Sequence, residues 1–436
     1  MNVKHHHLVF VLALSPLLAS AGWFDWIPGV GKDKKPKEEK VVEGEKFTTE
    51  QSVETLLKMA GDGSPNAQVA LGKLYLEGTV DNKPNPVEAA RWFKEAAVNG
   101  NANGQFNYAI CLETGTGVPA DPEEALTWFA KAAEKGILKA MINAAISYER
   151  KNEMERALHF YLLAANEGNT AAMRKISEFF RKGIGTKENI GQATRFLVEA
   201  AKNGDGKAQL ALAECYRDGV GVPKDYGEMV NWLWLAAEKG EREAMFQFAQ
   251  CYSEGRGLKK SDRDAMRWYH AAAAAGSVPA MVEIGKRFQT GTGIDVDLKK
   301  AVSWYEKAVD NNSAEGQIAL GSLYLAGHGV PQDVDKAAAY FTMAADQGDG
   351  QAMYNLGYIA EKGFGGKTDP AEAVRWYTRS AARDNVAGLC ALGRCLVDGV
   401  GVEANPEKGR FYLKKAAMKG HRPALDLLKK AQGYEE

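Results

Sequence analysis

A 36-residue period constrains this chain more than any other feature in it. The small residue Ala208 recurs as Ala244, Ala280, Gly316, Ala352, Gly388 and Ala424, and the aromatic Trp232 recurs in the same register as Trp268, Trp304, Tyr340, Trp376 and Tyr412. Toward the N-terminus the two series continue through Ala172, Ala140, Gly104 and Ala67, and through Phe196, Phe160, Trp128 and Trp92. In the small-residue series the step is 36, except for 32 between Ala140 and Ala172 and 37 between Ala67 and Gly104. Repetition on this scale means one supersecondary unit per period, and such a unit buries its apolar face only by stacking on its neighbours. The 436 residues therefore read as one elongated array rather than as two or three globular domains.

Each unit reads as two antiparallel helices. Counting from Ala208, the residues Leu212, Ala213, Cys215 and Tyr216 fall on one helical stripe. Gly219 and Gly221 end that helix, because glycine readily takes the left-handed conformation, and Pro223 cannot continue it. A second helix carries Trp232, Leu233, Ala236 and Ala237 and stops at Gly240. Small side chains let the neighbouring helix approach, and the recurring aromatic is expected to fill the space between layers.

The pattern A-x-x-x-L-G-x-x-Y-x-x-G-x-G-V, followed by A-x-x-W-Y-x-x-A-A-x-x-G, resembles the Sel-1-like repeat, a relative of the tetratricopeptide repeat with a longer connecting loop. In the unit that begins at Gly316, the residues Leu320, Gly321, Tyr324, Gly327, Gly329 and Val330 match it, with Gly316 itself standing where the family usually has Ala. The resemblance spans about ten repeats over residues 65–421. It implies an all-α, right-handed α-solenoid superhelix of helix-pair repeats. It also implies adaptor roles of the kind bacterial relatives play in envelope assembly, exopolysaccharide secretion, signalling or contact with host cells.

The segments outside the array read differently. Residues 1–21 look like a cleaved secretory signal peptide: Lys4, His5, His6 and His7 form the n-region, Leu8 to Leu18 is mostly apolar, and Ala19-Ser20-Ala21 supplies the cleavage site. That apolar run is too short to span a bilayer, which takes about 20 residues. No transmembrane segment is expected after cleavage, and the expected location is periplasmic or secreted. Residues 22–47 read as a flexible charged linker, too poor in apolar side chains to fold. It opens with Trp23, Phe24 and Trp26, a cluster suited to docking on a partner or a membrane interface. Residues 48–64 read as an N-terminal capping helix with Thr49 as its N-cap and Val53, Leu56, Leu57 and Met59 as apolar positions, and 422–436 as the C-terminal capping helix and tail.

Repeat three departs from the pattern. Between Tyr148 and Ala157 the Gly-x-Gly loop is missing, leaving Glu149 to Glu153 as the turn, and a bend in the array is expected near residues 145–160.

The five cysteines do not read as a disulfide framework. Cys111, Cys215, Cys251 and Cys395 all stand seven residues after the small residue, so Cys215 and Cys251 lie on stacked helices. Helix axes are roughly 8–10 Å apart in such a stack, beyond the usual Cα separation of a disulfide, about 4.4–6.8 Å. Cys390 and Cys395 sit on one helix and point in different directions. Cysteine-rich secreted members of the resembled family pair two cysteines inside each repeat, and the second cysteine is missing here. Buried thiols used as small apolar residues are therefore expected.

Catalytic, cofactor and metal motifs are not found. His159, His270, His328 and His421 lie in separate repeats without companions at ligand spacing, and neither H-E-x-x-H nor C-x-x-C occurs. The Gly-rich connectors are not followed by Gly-Lys-Ser/Thr, so they are not phosphate loops. With 55 basic against 56 acidic side chains, nothing points to nucleic acid.

What remains is surface, and the resemblance places the first helices on a concave face. Two residues after the small one the series is apolar nearly throughout, while six after it is mostly polar, with Ile110, Ile146 and Tyr358 as exceptions. Phe106, Ile110, Ile142 and Ile146 would form one apolar strip, and Tyr354 with Tyr358 a second. On the second helices, Leu162, Val198 and Trp234 would form a third. Contiguous exposed apolar patches with Tyr and Trp mark interaction sites. The expected function is a non-catalytic exported scaffold or adaptor that binds a protein or peptide partner on its solenoid surface. A carbohydrate- or peptidoglycan-binding envelope protein is the first alternative, since aromatic exceptions also suit polysaccharide. A β-lactamase-like hydrolase is the second, and it needs a paired base and nucleophile that this sequence does not offer.

Overall fold

The computed structural model describes residues 53–80 and 83–431, so the leader, the linker with Trp23, Phe24 and Trp26, and Thr49 lie outside the described residues. Among the described residues there are twenty-two α-helices and no strand. The chain divides into two compact units, one ending at Asp205 and one starting at Gly206. The first contains α1 (Val53–Gly61), α2 (Pro65–Glu77), α3 (Pro86–Val98), α4 (Ala102–Thr114), α5 (Pro122–Glu134), α6 (Leu138–Arg150), α7 (Met154–Asn166), α8 (Thr170–Lys182) and α9 (Ile190–Lys202). The second contains α10 (Gly206–Asp218), α11 (Tyr226–Glu238), α12 (Arg242–Glu254), α13 (Asp262–Ala274), α14 (Val278–Thr290), α15 (Leu298–Asp310) and α16 (Ala314–Ala326). It continues with α17 (Val334–Asp346), α18 (Gly350–Lys362), α19 (Pro370–Ala382), α20 (Val386–Asp398), α21 (Pro406–Met418) and α22 (Arg422–Ala431).

Within each unit the helices pair as antiparallel hairpins that stack in chain order, even-numbered helices first in each pair. Second helices open on an Asn, Asp or Ser cap in most repeats; Asp225, for example, accepts from the backbone N–H groups of Gly227 and Glu228. The core of a hairpin is built by the residue after the recurring aromatic. Phe129, Tyr305, Phe341 and Tyr377 are 0–1% exposed, whereas Trp92, Trp128, Trp232, Trp268, Trp304 and Trp376 are only half-buried. The expectation that the recurring aromatic fills the layer holds for Phe160 and Phe196, which are buried together with the residues that follow them, Tyr161 and Leu197. Adjacent helical residues point about 100° apart, so where the recurring aromatic is the bulkier Trp it packs at the edge of the core while its neighbour enters it. The outer indole faces are covered by cations instead, with Lys131 Nζ 4.1 Å from the Trp128 centroid and Lys307 Nζ 3.8 Å from that of Trp304. The buried ring sets the size of the slot it meets on the first helix: a Cβ on Gly357 would lie 2.6 Å from Tyr377 Cε1.

The Gly-x-Gly connector does more than end a helix. Its second glycine lies on the first turn of the preceding repeat's second helix. A Cβ on Gly117 would sit 1.9 Å from the Pro86 carbonyl oxygen, and one on Gly401 would sit 2.1 Å from that of Pro370. Repeat three, lacking the loop, solves the turn otherwise. Helix α6 runs to Arg150, so the turn is Lys151 to Glu153 and shorter than the sequence suggested. Asn152 takes the left-handed conformation (φ 62°), and Lys151 ion-pairs Glu123 on the first turn of α5, where other connectors lay a glycine. The boundary between the two units falls at Asp205, not at this short connector.

Helix α1 buries Leu56 and Ala60 while leaving Leu57 exposed, and α22 buries Ala424. None of the five cysteines is in a disulfide; Cys111, Cys251, Cys390 and Cys395 are buried and Cys215 is half-buried. Burial pushes the Cys111 and Cys251 thiols up to about 11, which makes them poor nucleophiles and suits a packing role. One core slot was not foreseen. Arg287 occupies the position that holds cysteine in repeats two, five, six and ten. Its side chain is 3% exposed and pairs with Asp262 at 3.1 Å and Glu283 at 3.2 Å.

Candidate functional site

Within the second unit, the first helices of repeats eight and nine enclose an open apolar groove with a cavity volume of about 380 Å³. One wall is Tyr354, Asn355 and Tyr358 of α18, and the other is Ser322, Leu325 and Ala326 of α16. Phe341, fully buried in the core, forms the base, and Phe364 enters from the connector after α18. The helical spacing of four puts Tyr354 and Tyr358 one above the other, with ring centroids 6.3 Å apart and planes 24° apart. Phe364 closes the row, its ring 5.8 Å from that of Tyr358.

Two of the groove's polar side chains make hydrogen bonds within the protein. Ser322 Oγ donates to the Ile318 carbonyl at 2.8 Å, and Gln351 donates to Asn355 Oδ1 at 3.0 Å. Among the described residues the Asn355 amide N–H groups and the Tyr354 and Tyr358 hydroxyls have no protein partner. Burial, followed by the nearby Tyr358 and Glu361, raises the Tyr354 phenol above its ordinary value, so it stays protonated and able to donate.

Behind the groove wall, Tyr377 Oη donates to Glu361 at 2.7 Å, and Arg394 pairs with the same oxygen at 2.5 Å. Burial works to raise the Glu361 carboxyl, but the Tyr377 hydrogen bond and the charges of Arg394 and Lys362 outweigh it and hold it below its ordinary range. Lys362 Nζ lies 5.8 Å from the Tyr358 centroid, pairs with Glu361 Oε1 at 3.3 Å and keeps its side chain 48% exposed, and Lys367 is exposed in the connector that also carries Phe364.

The other residues singled out from the sequence lie elsewhere in the fold. Phe106 is half-buried and spends its ring on Phe129 of the same hairpin, 5.9 Å between centroids. Phe246 on Tyr269 and Tyr354 on Tyr377 repeat that contact at 5.6 and 5.7 Å, so the position two after the small residue is chiefly a packing position. Ile110, Ile142 and Ile146 are half-buried on α4 and α6. Leu162 and Val198 are half-buried in the first unit, whereas Trp234 belongs to the second and is 47% exposed, so the three divide between the units.

Phe364, Leu325 and Asn355 were missed in the sequence, yet a signal for Phe364 is present. Repeat nine carries Gly366 where repeats two, five, eight and ten carry Val118, Val222, Val330 and Val402, and an aromatic stands between its two glycines. The valines are half-buried anchors; nothing lies within 4 Å of a Cβ placed on Gly366. Repeat nine has thus moved its bulky connector side chain from the loop's own anchor to the groove. Among the described residues no group of three or more His, Cys, Asp or Glu side chains could hold a metal ion. No helix among them is long and apolar enough to cross a membrane.

Comparison with known proteins agrees with this architecture. The Sel1 repeat model matches ten times, over residues 65–101, 102–137, 141–169, 170–205, 206–241, 242–277, 278–313, 314–349, 350–385 and 386–421. The structure of a protective antigen present in uropathogenic Escherichia coli strains, described as displaying an SLR fold, is similar with a TM-score of 0.71 and 26% identity, covering 87% of this chain and 82% of that one. A Sel1 repeat protein from Oxalobacter formigenes is similar with a TM-score of 0.63 and 28% identity, covering 70% of this chain and 89% of that one. No curated protein sequence matched.

Proposed function

The chain belongs to the Sel1 repeat family, whose members are generally protein-interaction scaffolds, and from that premise we propose that it is an exported, non-catalytic adaptor that holds a protein or peptide partner in the groove of repeats eight and nine. The observation that carries this reading is the aromatic row Tyr354, Tyr358 and Phe364 beside Leu325, an apolar surface left open on one face of a solenoid. Aromatic anchors in a partly desolvated concavity are where binding energy concentrates. Export rests on the sequence of residues 1–21, and a periplasmic or secreted adaptor would serve envelope assembly, secretion or contact with host cells.

The test is a crosslinking capture from the native cell envelope with the full chain as bait. Wild type is compared with Tyr358→Glu and with Ile110→Glu/Ile146→Glu, each checked for helicity by circular dichroism. Loss of a captured protein with Tyr358→Glu alone supports the groove. Loss only with the isoleucine variant moves the site to the first unit, and capture unchanged by both removes the first-helix face from consideration.

A further inference from the structure

Away from the groove, we infer that the outer face of α21 in repeat ten docks the protein peripherally on a membrane surface rich in anionic phospholipid. The argument starts from positions that the repeat does not dictate. Phe411, Lys414, Lys415 and Met418 follow the helical spacing of three and four and form one exposed stripe, while Leu413 and Ala416 are buried. Met418 is 81% exposed and Phe411 63%, the highest values for a methionine and for an aromatic among the described residues. The fold requires neither side chain. Repeats four and nine carry Arg195 and Arg375 in the Phe411 position, and repeats five and eight carry Glu238 and Asp346 in that of Met418.

The surroundings of the stripe are cationic. Residues 406–431 hold eight Lys and Arg against two Asp and Glu, in a chain whose net charge is −1. Lys408 and Lys414 are exposed and have no ion pair among the described residues. Asp384 of the preceding repeat pairs with Lys415 at 3.0 Å and also with Lys419, so one carboxylate meets two ammonium groups and the local charge stays positive. Glu407, in the first turn, is the one acidic side chain of α21. Apolar side chains set among lysines suit a lipid interface. The ammonium groups meet anionic headgroups, the lysine stems lie along the apolar boundary, and Phe411 and Met418 enter it. A nucleic acid backbone or an acidic surface answers the cations alone, whereas an anionic bilayer answers both kinds of side chain. The contact is peripheral, because α21 keeps Leu413 and Ala416 in the core of the second unit.

The probe is vesicles of equal parts phosphatidylcholine and phosphatidylglycerol, with pure phosphatidylcholine vesicles as control, in a flotation assay with the full chain at about 0.15 M salt. Wild type should bind the anionic vesicles at least about tenfold more tightly than the neutral ones. Lys408→Glu/Lys414→Glu should weaken that binding by at least about tenfold, and Phe411→Ser/Met418→Ser by about tenfold. All four side chains are exposed, so both variants should keep the wild-type helicity and urea midpoint. Residues 1–47 are common to every variant, so the differences report α21 alone. At about 0.5 M salt wild type should stay partly bound while the serine variant is released, because only the apolar contact resists screening. No flotation, equal flotation on both vesicle types, or flotation unchanged by both double variants would overturn the inference. So would binding of polyglutamate or duplex DNA as tight as that of the vesicles and indifferent to Phe411 and Met418, which would make the face a dock for an acidic macromolecule. The groove variant Tyr358→Glu should float like wild type; its release would move the contact to repeats eight and nine and overturn the inference as well.

Discussion

Repeats three and nine break the same part of the pattern in opposite ways. Repeat three deletes the Gly-x-Gly connector, turns on Asn152, and covers the first turn of α5 with Lys151 rather than with a glycine. Repeat nine keeps the connector, gives up its valine anchor for Gly366, and places Phe364 on the groove. Both lie next to the apolar exceptions on the first helices, Ile110 and Ile146 in one case and Tyr354 and Tyr358 in the other. The difference teaches that the hairpins are interchangeable while the connector decides what surface they border. In repeat nine the aromatic loop residue Phe364 lines a cavity, whereas the short turn of repeat three spends Lys151 on Glu123.

The largest effect that sharpens this comparison is on stability. Gly117→Ala places a Cβ against the Pro86 carbonyl at φ 75°, so the clash and the left-handed strain add. The expected loss is about 3 kcal/mol, read from the urea midpoint. Gly136→Ala, at φ 91° with nothing within 4 Å, carries the strain alone and should lose about 1 kcal/mol. Equal losses would show that the connector glycine is conformational and not a packing contact between repeats.

Next in size is Gly357→Ala, which puts a methyl group 2.6 Å from the Tyr377 ring behind the groove wall. A loss of about 2 kcal/mol is expected, together with weaker peptide capture because Tyr354 packs on that ring. Unchanged capture would uncouple the groove from the core beneath it.

A pH titration gives a smaller effect. Glu361 is held below its ordinary value in the folded chain, so its contribution is present above the unfolded value and is lost as pH falls through the depressed folded one. Stability of the second unit should therefore fall below about pH 4.5, and Glu361→Gln should flatten that part of the profile. A profile unchanged by the substitution would remove Glu361 from the support of the groove.

The smallest effect belongs to repeat three. Asn152→Gly relieves left-handed strain but adds freedom to the unfolded chain, so the net gain should not exceed about 0.5 kcal/mol. A larger gain would mark the short connector as strained.

Much of the molecule was legible in the residues themselves. The Ala208 and Trp232 series set the period and the helix pairs, the Gly-x-Gly spacing set the turns, and the missing loop after Tyr148 was visible as a break in the count. Tyr354 and Tyr358 stood out because one residue broke a polar series. Phe106 stood out for a poorer reason, since its position is a packing position in every repeat where a ring contact is seen.

The sequence by itself determined the repeat, the helix ends at the Gly-x-Gly connectors and the buried use of four of the five cysteines, because each follows from side-chain types at fixed local spacing. Only the tertiary structure decided that the recurring Trp stays half-buried while the ring after it is buried, that Arg287 lies buried among carboxylates, and that Phe364 turns toward Tyr358. Those outcomes depend on how one hairpin sits on the next. Stacking fixes which face of a helix a loop can reach, and no periodicity within a single repeat carries that information.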